Sequence, residues 1–403
     1  MTDAQSGEAP AALTTPDAGS RATGVEEPRR VTSIDREPRV HAEIVLYRLF
    51  DVGYEIHLDR ACELLASSAP ERPRPTRGEA QAIQIQNPPV NIHLGSESVM
   101  VGDSAHEVEL SARLFDFGVI SLRARIVTPP GIPWSRFVAF TSASAASGSR
   151  AWDFLGPARD RLLDRMRPAI ERPDLSPVTE DYSVFRVFRF ESPSGERLPA
   201  EALTEEQAAR LLIDDQRPVS ALARKELLSQ RLSYFEDDLT ILTWNEALVI
   251  EPIVGDSDVQ YVLEFANAQL LELRYYDAQL DAELPRIYDE IADARRTFHL
   301  LGRRFSRLLV ALQTRVADAT EAVERVENSL KVTDDVFLAR IYAAALDVFR
   351  SRTWRSGIDR KVAIVREAYA MLNAESQARR SEVLEITIIL LILIEIVIAV
   401  LVR

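Results

Sequence analysis

Cysteine is almost absent from this 403-residue chain, in which Cys62 stands alone. A single cysteine excludes an intramolecular disulfide and a cysteine-based zinc cluster. Histidine is also scarce, and the five histidines lack the spacing of metal ligands. No Walker A loop, Rossmann glycine fingerprint, nucleophile elbow or His-Glu-x-x-His occurs in the chain. We therefore predict no catalytic residue, no cofactor and no metal site.

Positive charge is in deficit, with 48 Lys and Arg against 62 Asp and Glu, for a net charge of −14. Nucleic-acid binding usually requires a clustered basic face, so this balance argues against general affinity for nucleic acid. The first forty residues also lack an apolar run, which excludes a signal peptide there. We predict that residues 1–39 are disordered and that the bulk of the chain stays in the cytoplasm.

One long apolar run lies at the C-terminus, where Thr387 and Glu395 are the only polar residues between Ile386 and Val402. A helix needs about 20 residues to cross a hydrocarbon core of about 30 Å. The run predicts a transmembrane helix over residues 383–403, which would make the chain a single-pass, tail-anchored protein of the cytoplasmic (inner) membrane with lipid as a partner. The alternative is a core segment covered by other protein.

Glu395 is the most informative residue of this run, because an ionisable group inside a membrane is costly and tends to face a partner. We predict that Glu395 contacts another copy of the helix or a cation on another membrane protein. The alternative is a protonated carboxyl that is merely tolerated.

A helical stalk is predicted over residues 256–382, because apolar residues there recur at steps of three and four. The seam runs through Phe298, Leu301, Phe305, Leu308, Leu312, Val316, Ala319, Val323, Val326 and Leu330. This spacing is typical of a coiled coil and predicts a homo-oligomer. A helical hairpin within one chain is the alternative.

Arginines cluster on the predicted stalk and offer contacts to an anion such as RNA phosphate or anionic lipid. The first cluster is Arg295, Arg296, Arg303, Arg304 and Arg307. A second surrounds Trp354, with Arg350, Arg352, Arg355 and Arg360. Solvated flanks of a coiled coil are the alternative explanation.

An α+β domain is predicted over residues 40–255, ahead of the stalk. Strand and helix patterns follow the order β-α-β-β twice, within residues 40–170 and again within residues 180–255. This repeated order predicts an internal duplication and two packed α+β units.

The stretch from Arg380 to Glu395, with its pairs Leu384-Glu385 and Ile394-Glu395, resembles the C-terminus of the "required for meiotic nuclear division" family. The stretches Leu271–Asp277 and Arg286–Glu290 resemble the helix before the stalk in that family. The resemblance implies a domain of unknown function in a non-enzymatic inner-membrane protein that forms homo-oligomers. The family's mitochondrial members support organelle translation at the membrane. The resemblance supplies no catalytic residue.

Three functions follow from these patterns. The first is a membrane-anchored, non-enzymatic scaffold that oligomerises through the stalk and presents its cytoplasmic domain. The second is a membrane-tethered protein that contacts RNA or the ribosome through the arginine clusters and supports translation at the membrane. The third is an enzyme whose catalytic groups follow no known motif.

Overall fold

The computed structural model of the protein describes most of the chain from residue 37 onward. The described residues are 37–68, 70–71, 84–85, 87–146, 152–213, 217–255, 257–297, 310, 314, 317, 320, 330–331 and 335–401. The predicted disordered segment, residues 1–39, lies almost wholly outside this set.

The strands, in chain order, are β1 (Arg39–Asp51), β2 (Gly53–Ile56), β3 (Gln84–Ile85), β4 (Val90–Val101), β5 (Ser104–Leu114), β6 (Val119–Val127), β7 (Ile132–Pro133), β8 (Ile170–Pro173), β9 (Thr179–Glu191), β10 (Arg231–Leu232), β11 (Leu239–Leu242), β12 (Glu246–Ile250) and β13 (Leu330–Lys331). The helices are α1 (Leu58–Leu64), α2 (Trp134–Ala146), α3 (Leu155–Met166), α4 (Glu205–Leu212), α5 (Ala221–Leu227), α6 (Asp258–Thr297), α7 (Val336–Val348) and α8 (Ser351–Leu401).

A nine-stranded sheet holds the fold together, with the strand order β10-β11-β12-β9-β1-β6-β5-β4 and with β7 pairing with β1. Strand β1 is central and runs antiparallel to both β9 and β6. The pairing of β12 with β9 is parallel. Short pairs form between β2 and β8 and between β3 and β13.

Strand β1 occupies the centre because its apolar residues can be buried on both faces. Val45, Tyr47 and Leu49 join the core on one face of the sheet. Ala42 and Ile44 join a second core on the opposite face. Side chains of a strand alternate between faces, so apolar residues at both odd and even positions require cover on both sides.

Helices cover the two faces and give the protein three layers. One face packs against α6 and α7. The other packs against α1 and α3 near strands β4 to β6, and against α2 and α4 near strands β9 to β12. These layers enclose the apolar side chains of the sheet from both sides.

Helix α6 is the most enclosed helix, since every residue from Tyr261 to Leu273 is buried. The sheet lies on one side of this stretch, and α7 and the start of α8 pack elsewhere on it. Such a helix must place polar side chains in the interior as well, and Glu264, Asn267 and Glu272 are all buried. Buried polar groups lower the stability of the fold unless they are hydrogen-bonded. The polar side chains of this helix therefore need partners inside the protein.

Helix α7 begins at Asp335, whose side chain accepts hydrogen bonds from the backbone N–H groups of Phe337 and Leu338. After α7 ends, helix α8 starts at Ser351 and runs through Gly357 without a break. Its first turns pack on α6, where Ile358 and Val362 join a small core with Leu273 and Leu280.

An ionic clamp reinforces this contact between α6 and α8. The Lys361 Nζ lies 2.7 Å from Asp277 Oδ1 and 2.6 Å from Asp281 Oδ1. Burial is the largest single influence on the pKa of Lys361 and lowers it, but the hydrogen bonds that Lys361 donates to the two aspartates and their negative charges raise it overall. The base of α8 is thereby joined to the sheet domain through α6.

The predicted fold class is wrong in its division of the α+β region into two units. Strands β1 and β9, which open the two predicted repeats, pair with each other from Arg39 to Phe50, so both repeats belong to one sheet. The repeats also differ, because β6 is antiparallel to β1 whereas β12 is parallel to β9. An open edge on either unit would leave backbone groups unpaired, and their direct pairing avoids this.

The predicted transmembrane helix over residues 383–403 is also wrong, and with it the tail anchor and the single-pass inner-membrane location. Among the described residues, no helix combines the length and the apolar character required to cross a bilayer. The described side chains of this run extend from Leu384 to Ile398 and include Glu385 and Glu395.

The glycine at the β5–β6 turn provides a test of the sheet centre. A Cβ on Gly118, which has φ +93°, would lie 1.8 Å from the carbonyl oxygen of Gly53. Gly195, with φ +86°, has no atom within 4 Å of the same position. We expect Gly118→Ala to lower the free energy of unfolding by at least about 2 kcal/mol more than Gly195→Ala, because both lose a favourable φ and only Gly118 clashes. Urea unfolding of both variants measures this difference, and equal losses would contradict it.

Candidate functional site

The residues predicted as sites from sequence are not brought together within the described part of the chain. Glu395 is exposed in α8. Arg295 and Arg296 belong to the last turns of α6, but their side chains lie outside the described residues. Arg303, Arg304 and Arg307 lie outside the described residues altogether, so the predicted anionic contact stays a prediction.

A row of alternating charges instead crosses the sheet on the face covered by α6. In order it consists of Glu251, Arg186, Glu43, Arg125 and Glu109, and we name it the charged row. Arg186 is buried and lies 2.7 Å from Glu251 and 3.0 Å from Glu43. Arg125 lies 2.6 Å from Glu43 and 2.9 Å from Glu109. Each internal member therefore has an opposite charge on both sides, which offsets the cost of its burial.

Arg186 also organises the loop that leads into α6. Its guanidinium donates hydrogen bonds to the backbone carbonyls of Gly255, at 2.5 Å, and Ile253, at 2.7 Å. The same group stacks 4.8 Å above the ring of Phe188. One buried arginine therefore connects strand β9, the loop over residues 251–255 and the start of α6.

A second ionic cluster lies deeper, where α6 crosses β5 and β6. Arg113 Nη1 donates to Glu264 Oε2 at 2.5 Å, and its Nε donates to Asn91 Oδ1 at 2.8 Å. Arg123 approaches Glu264 at 4.0 Å. The remaining oxygen, Glu264 Oε1, has no hydrogen-bond partner among the residues that the structure describes.

Burial changes the acid–base properties of this cluster. It lowers the pKa of Arg113, and the neighbouring Glu264 carboxylate opposes that change. Burial also raises the pKa of Tyr47, with Glu264 adding to the rise. The raised pKa keeps the Tyr47 hydroxyl protonated near neutral pH, and the close contact of Arg113 with Glu264 is a structural ion pair.

An open pocket of about 550 Å³ adjoins the charged row, and we name it the β1–β9 pocket. It lies beside the loop over residues 251–255 that Arg186 holds. Its lining comprises His41, Ala42, Val127, Thr128, Pro130, Phe188, Arg189, Arg197, Pro252 and Val254. Most of these side chains are apolar, and the polar ones are basic or a hydroxyl, which is the usual composition of a small-molecule site.

Basic side chains of the pocket meet a single buried acid. Glu191 pairs with Arg189 and lies 3.5 Å from His41 Nε2. Arg197 pairs with Asp237 at 3.2 Å. The Thr128 hydroxyl already donates a hydrogen bond to the carbonyl oxygen of Ala42 at 2.8 Å.

A third polar group lies at the other end of β1, where the Asp51 carboxyl is buried beside Asp174. Asp51 Oδ1 accepts from the Gly53 N–H at 3.3 Å, whereas Oδ2 has no hydrogen-bond partner in the described part of the chain. Burial raises the pKa of Asp51 to about 7, and the Asp174 charge adds to this rise. The charge of Asp51 therefore changes near neutral pH.

Metal binding finds no support in this arrangement. Within the described ranges, no group of three or more His, Cys, Asp or Glu side chains is placed to hold a metal ion. Each carboxylate of the charged row is paired with at least one of its two arginines.

Sequence reasoning missed these sites, although one signal for them was present. Strands β5 and β6 carry charged or polar side chains at every second position, as in Arg123 and Arg125. Such alternation predicts that one sheet face carries charge. The pairing of Arg113 with Glu264, however, joins residues 151 positions apart and has no local pattern.

The fold and these sites define a three-layer α/β protein with a charged interface beneath a central buried helix. Residues 41–257 match the family described as "Uncharacterized protein MJ0711, N-terminal domain". This match covers more than half of the chain, and the chain belongs to that family.

One relative is the "Uncharacterized protein MJ0711" of Methanocaldococcus jannaschii, which is 21% identical over 242 residues. The alignment covers 60% of this chain and 72% of that protein. No solved structure matches the chain. Neither match bears on the resemblance to the "required for meiotic nuclear division" family, which stays a prediction.

The buried pair of Arg113 and Glu264 gives a quantitative test of the interface. We expect Glu264→Met to lower the free energy of unfolding by about 3–5 kcal/mol, because it leaves the Arg113 charge buried without its partner. The double variant Arg113→Met with Glu264→Met removes both charges and should recover most of that loss. Chemical denaturation of the two single variants and the double variant measures the coupling, and strictly additive losses would contradict it.

The carboxyl of Asp51 predicts a pH dependence of stability. Its pKa in the folded protein, about 7, lies above the usual value in an unfolded chain, so the folded state binds the extra proton between these pH values. Stability should therefore fall as pH rises from about 4 through 7, since the buried carboxyl must ionise. We expect Asp51→Asn to be more stable than the native chain at pH 8 by on the order of 2–4 kcal/mol. This difference in the free energy of unfolding should become smaller at pH 5.

The control for this test is Asp164→Asn, which changes an exposed carboxyl on α3. Urea unfolding should show that the difference in the free energy of unfolding between Asp164→Asn and the native chain is nearly the same at pH 5 and pH 8. If the stability difference between Asp51→Asn and the native chain is the same at both pH values, ionisation of Asp51 does not cause it.

Proposed function

We propose that this protein is a non-enzymatic assembly protein, in which the C-terminal part of α8 associates with the same part of other copies. The observation that carries the proposal is the run from Leu384 to Ile398, which we name the apolar segment. Every Leu, Ile and Val in it exposes 46–64% of its surface. Copies joined through this segment would each carry one sheet domain.

The amount of apolar surface supports an interface. A soluble monomer rarely exposes a contiguous apolar patch of more than a few hundred Å². The apolar segment presents on the order of 1,000 Å² per chain, above the roughly 800 Å² that each partner contributes to a standard interface. Cover by another molecule would therefore be strongly favourable.

The distribution of this surface favours further copies of the same helix as the cover. Residues such as Ile388, Leu390, Ile392 and Leu393 point in different directions around the helix and are all exposed. A groove on another protein would cover one side of such a helix. A bundle of identical helices covers several sides at once and buries the same residues in each copy.

Glu395 fits the centre of such a bundle as a register-setting residue. A single polar side chain in an apolar helix seam selects alignment and copy number at a cost in stability. A slipped register would pair Glu395 with Ile or Leu of the neighbouring helix. The aligned register brings the glutamates of all copies to one level, where water molecules can donate hydrogen bonds to their carboxylates.

The sheet domain is coupled to this bundle through the base of α8. The Lys361 clamp and the small core around Ile358 fasten that base to α6. Because α6 is itself buried against the sheet, association of the apolar segments would place the sheet domains together. The assembly would then present several copies of the domain surface at one place.

The oligomer provides the test. Removal of residues 384–403 should convert an oligomer into a monomer whose sheet domain stays folded, as measured by light scattering coupled to size-exclusion chromatography and by circular dichroism. Glu395→Leu should raise the thermal stability of the oligomer and broaden its distribution of copy numbers, because it removes a costly but selective residue. A native chain that is monomeric at micromolar concentration, or whose oligomer survives the truncation, would refute the proposal.

The control substitution is Glu367→Leu, which changes an exposed glutamate of α8 outside the apolar segment. It adds the same apolar side chain to the same helix without touching the proposed seam. Its copy number and thermal stability should match those of the native chain.

A further inference from the structure

The β1–β9 pocket lies in the sheet domain and has no part in the proposed association of α8. Its volume of about 550 Å³ lies within the range typical of small-molecule sites. Apolar side chains form most of its wall, namely Val127, Pro130, Phe188, Pro252 and Val254. A ligand of this pocket therefore needs an apolar body.

Two arginines add a second requirement. Arg189 and Arg197 both line the pocket, and each is paired with one carboxylate among the described residues. A guanidinium carries five N–H donors, so each retains donors after that pairing. Planar donors of this kind bind carboxylate, sulfonate and phosphate groups well, often through two parallel hydrogen bonds.

The shape of the pocket is set by buried groups behind it. Arg186 holds the carbonyls of Ile253 and Gly255, and this fixes the loop that carries Pro252 and Val254. The same guanidinium stacks on Phe188, which forms part of the wall. The pocket is therefore backed by the charged row, and a ligand would meet a preformed surface at little cost in ordering.

We propose that the β1–β9 pocket binds a small amphipathic organic anion. The apolar body of the ligand would lie against Phe188 and the proline-lined walls. Its single anionic group would accept hydrogen bonds from the unused donors of Arg189 and Arg197. Glu191 disfavours a second anionic group nearby, because it places a buried carboxylate next to Arg189 and His41.

A matched pair of probes tests this assignment on the full chain. The first probe is 8-anilinonaphthalene-1-sulfonate, which joins an apolar body to one anionic group. The second is N-phenyl-1-naphthylamine, which has the same body without the sulfonate. Isothermal titration calorimetry should show saturable binding of the sulfonate at the pocket and weaker binding of the neutral probe.

The arginines are tested by the double variant Arg189→Gln with Arg197→Gln. We expect this variant to weaken binding of the sulfonate by about ten-fold or more, since it removes charge-assisted hydrogen bonds. Binding of the neutral probe should be unchanged. The control is Arg60→Gln with Arg161→Gln, whose side chains are 56% and 65% exposed, compared with 54% and 52% for Arg189 and Arg197.

The location is tested by filling the pocket. Val254 lines it and is 80% exposed, so Val254→Trp adds bulk at the wall with little risk to folding. Leu222→Trp makes the same change at a residue that is 78% exposed on α5 and does not line the pocket. Val254→Trp should weaken both probes, and Leu222→Trp should weaken neither.

Each possible result of these titrations either supports the proposal or overturns it. Equal binding of the sulfonate to the native chain and to Val254→Trp would show that the probe lies elsewhere, for example on the apolar segment, and would overturn the proposal. Equal loss of both probes in the arginine double variant would show that the pocket had changed shape and that it does not select an anion. Selective loss of the sulfonate in that variant, together with the pocket-filling effect, supports the proposal.

Discussion

Burial of α6 against the central strands is the constraint on which the other features depend. The stretch from Tyr261 to Leu273 is enclosed on all sides, so its polar side chains cannot reach bulk water. Their hydrogen bonds have to be made inside the protein. Glu264 finds Arg113 on β5, and Gln269 accepts a hydrogen bond from the Tyr342 hydroxyl on α7. The position of α6 thereby determines which strand positions, such as that of Arg113, need a charged side chain.

The same constraint explains why the pocket lies where it does. The loop over residues 251–255 must turn from strand β12 into the enclosed helix, and Arg186 satisfies two of its carbonyls in doing so. An arginine buried for this purpose needs carboxylates around it, which Glu43 and Glu251 provide. Pro252 and Val254 of this loop line the pocket. The residues of the structural pairing therefore lie directly behind the pocket wall and hold part of it in place.

Much of the local structure could be predicted from the sequence, because it depends on neighbours along the chain. Strand β1 and helix α4 follow from apolar periodicity, and Thr204 with Gln207 forms the capping box typical of a helix start. Strand β4 escaped prediction because its second half is largely exposed and lacks a simple alternation. The C-terminal run was interpreted from composition alone. Among the described residues no helix is long and apolar enough for the bilayer crossing that composition suggested, and Glu385 and Glu395 both lie within the run.

By itself the sequence determined the apolar patterns of the strands, the long helices and the presence of a C-terminal run rich in Ile and Leu. Only the tertiary structure decided that two similar halves pair through β1 and β9 into one sheet, that Arg113 meets Glu264, and that Arg189 and Arg197 line one pocket. The physical reason is that periodicity records which side of an element is buried, whereas pairing depends on which distant element covers it. Strand order and helix placement carry that information, and no local pattern encodes them.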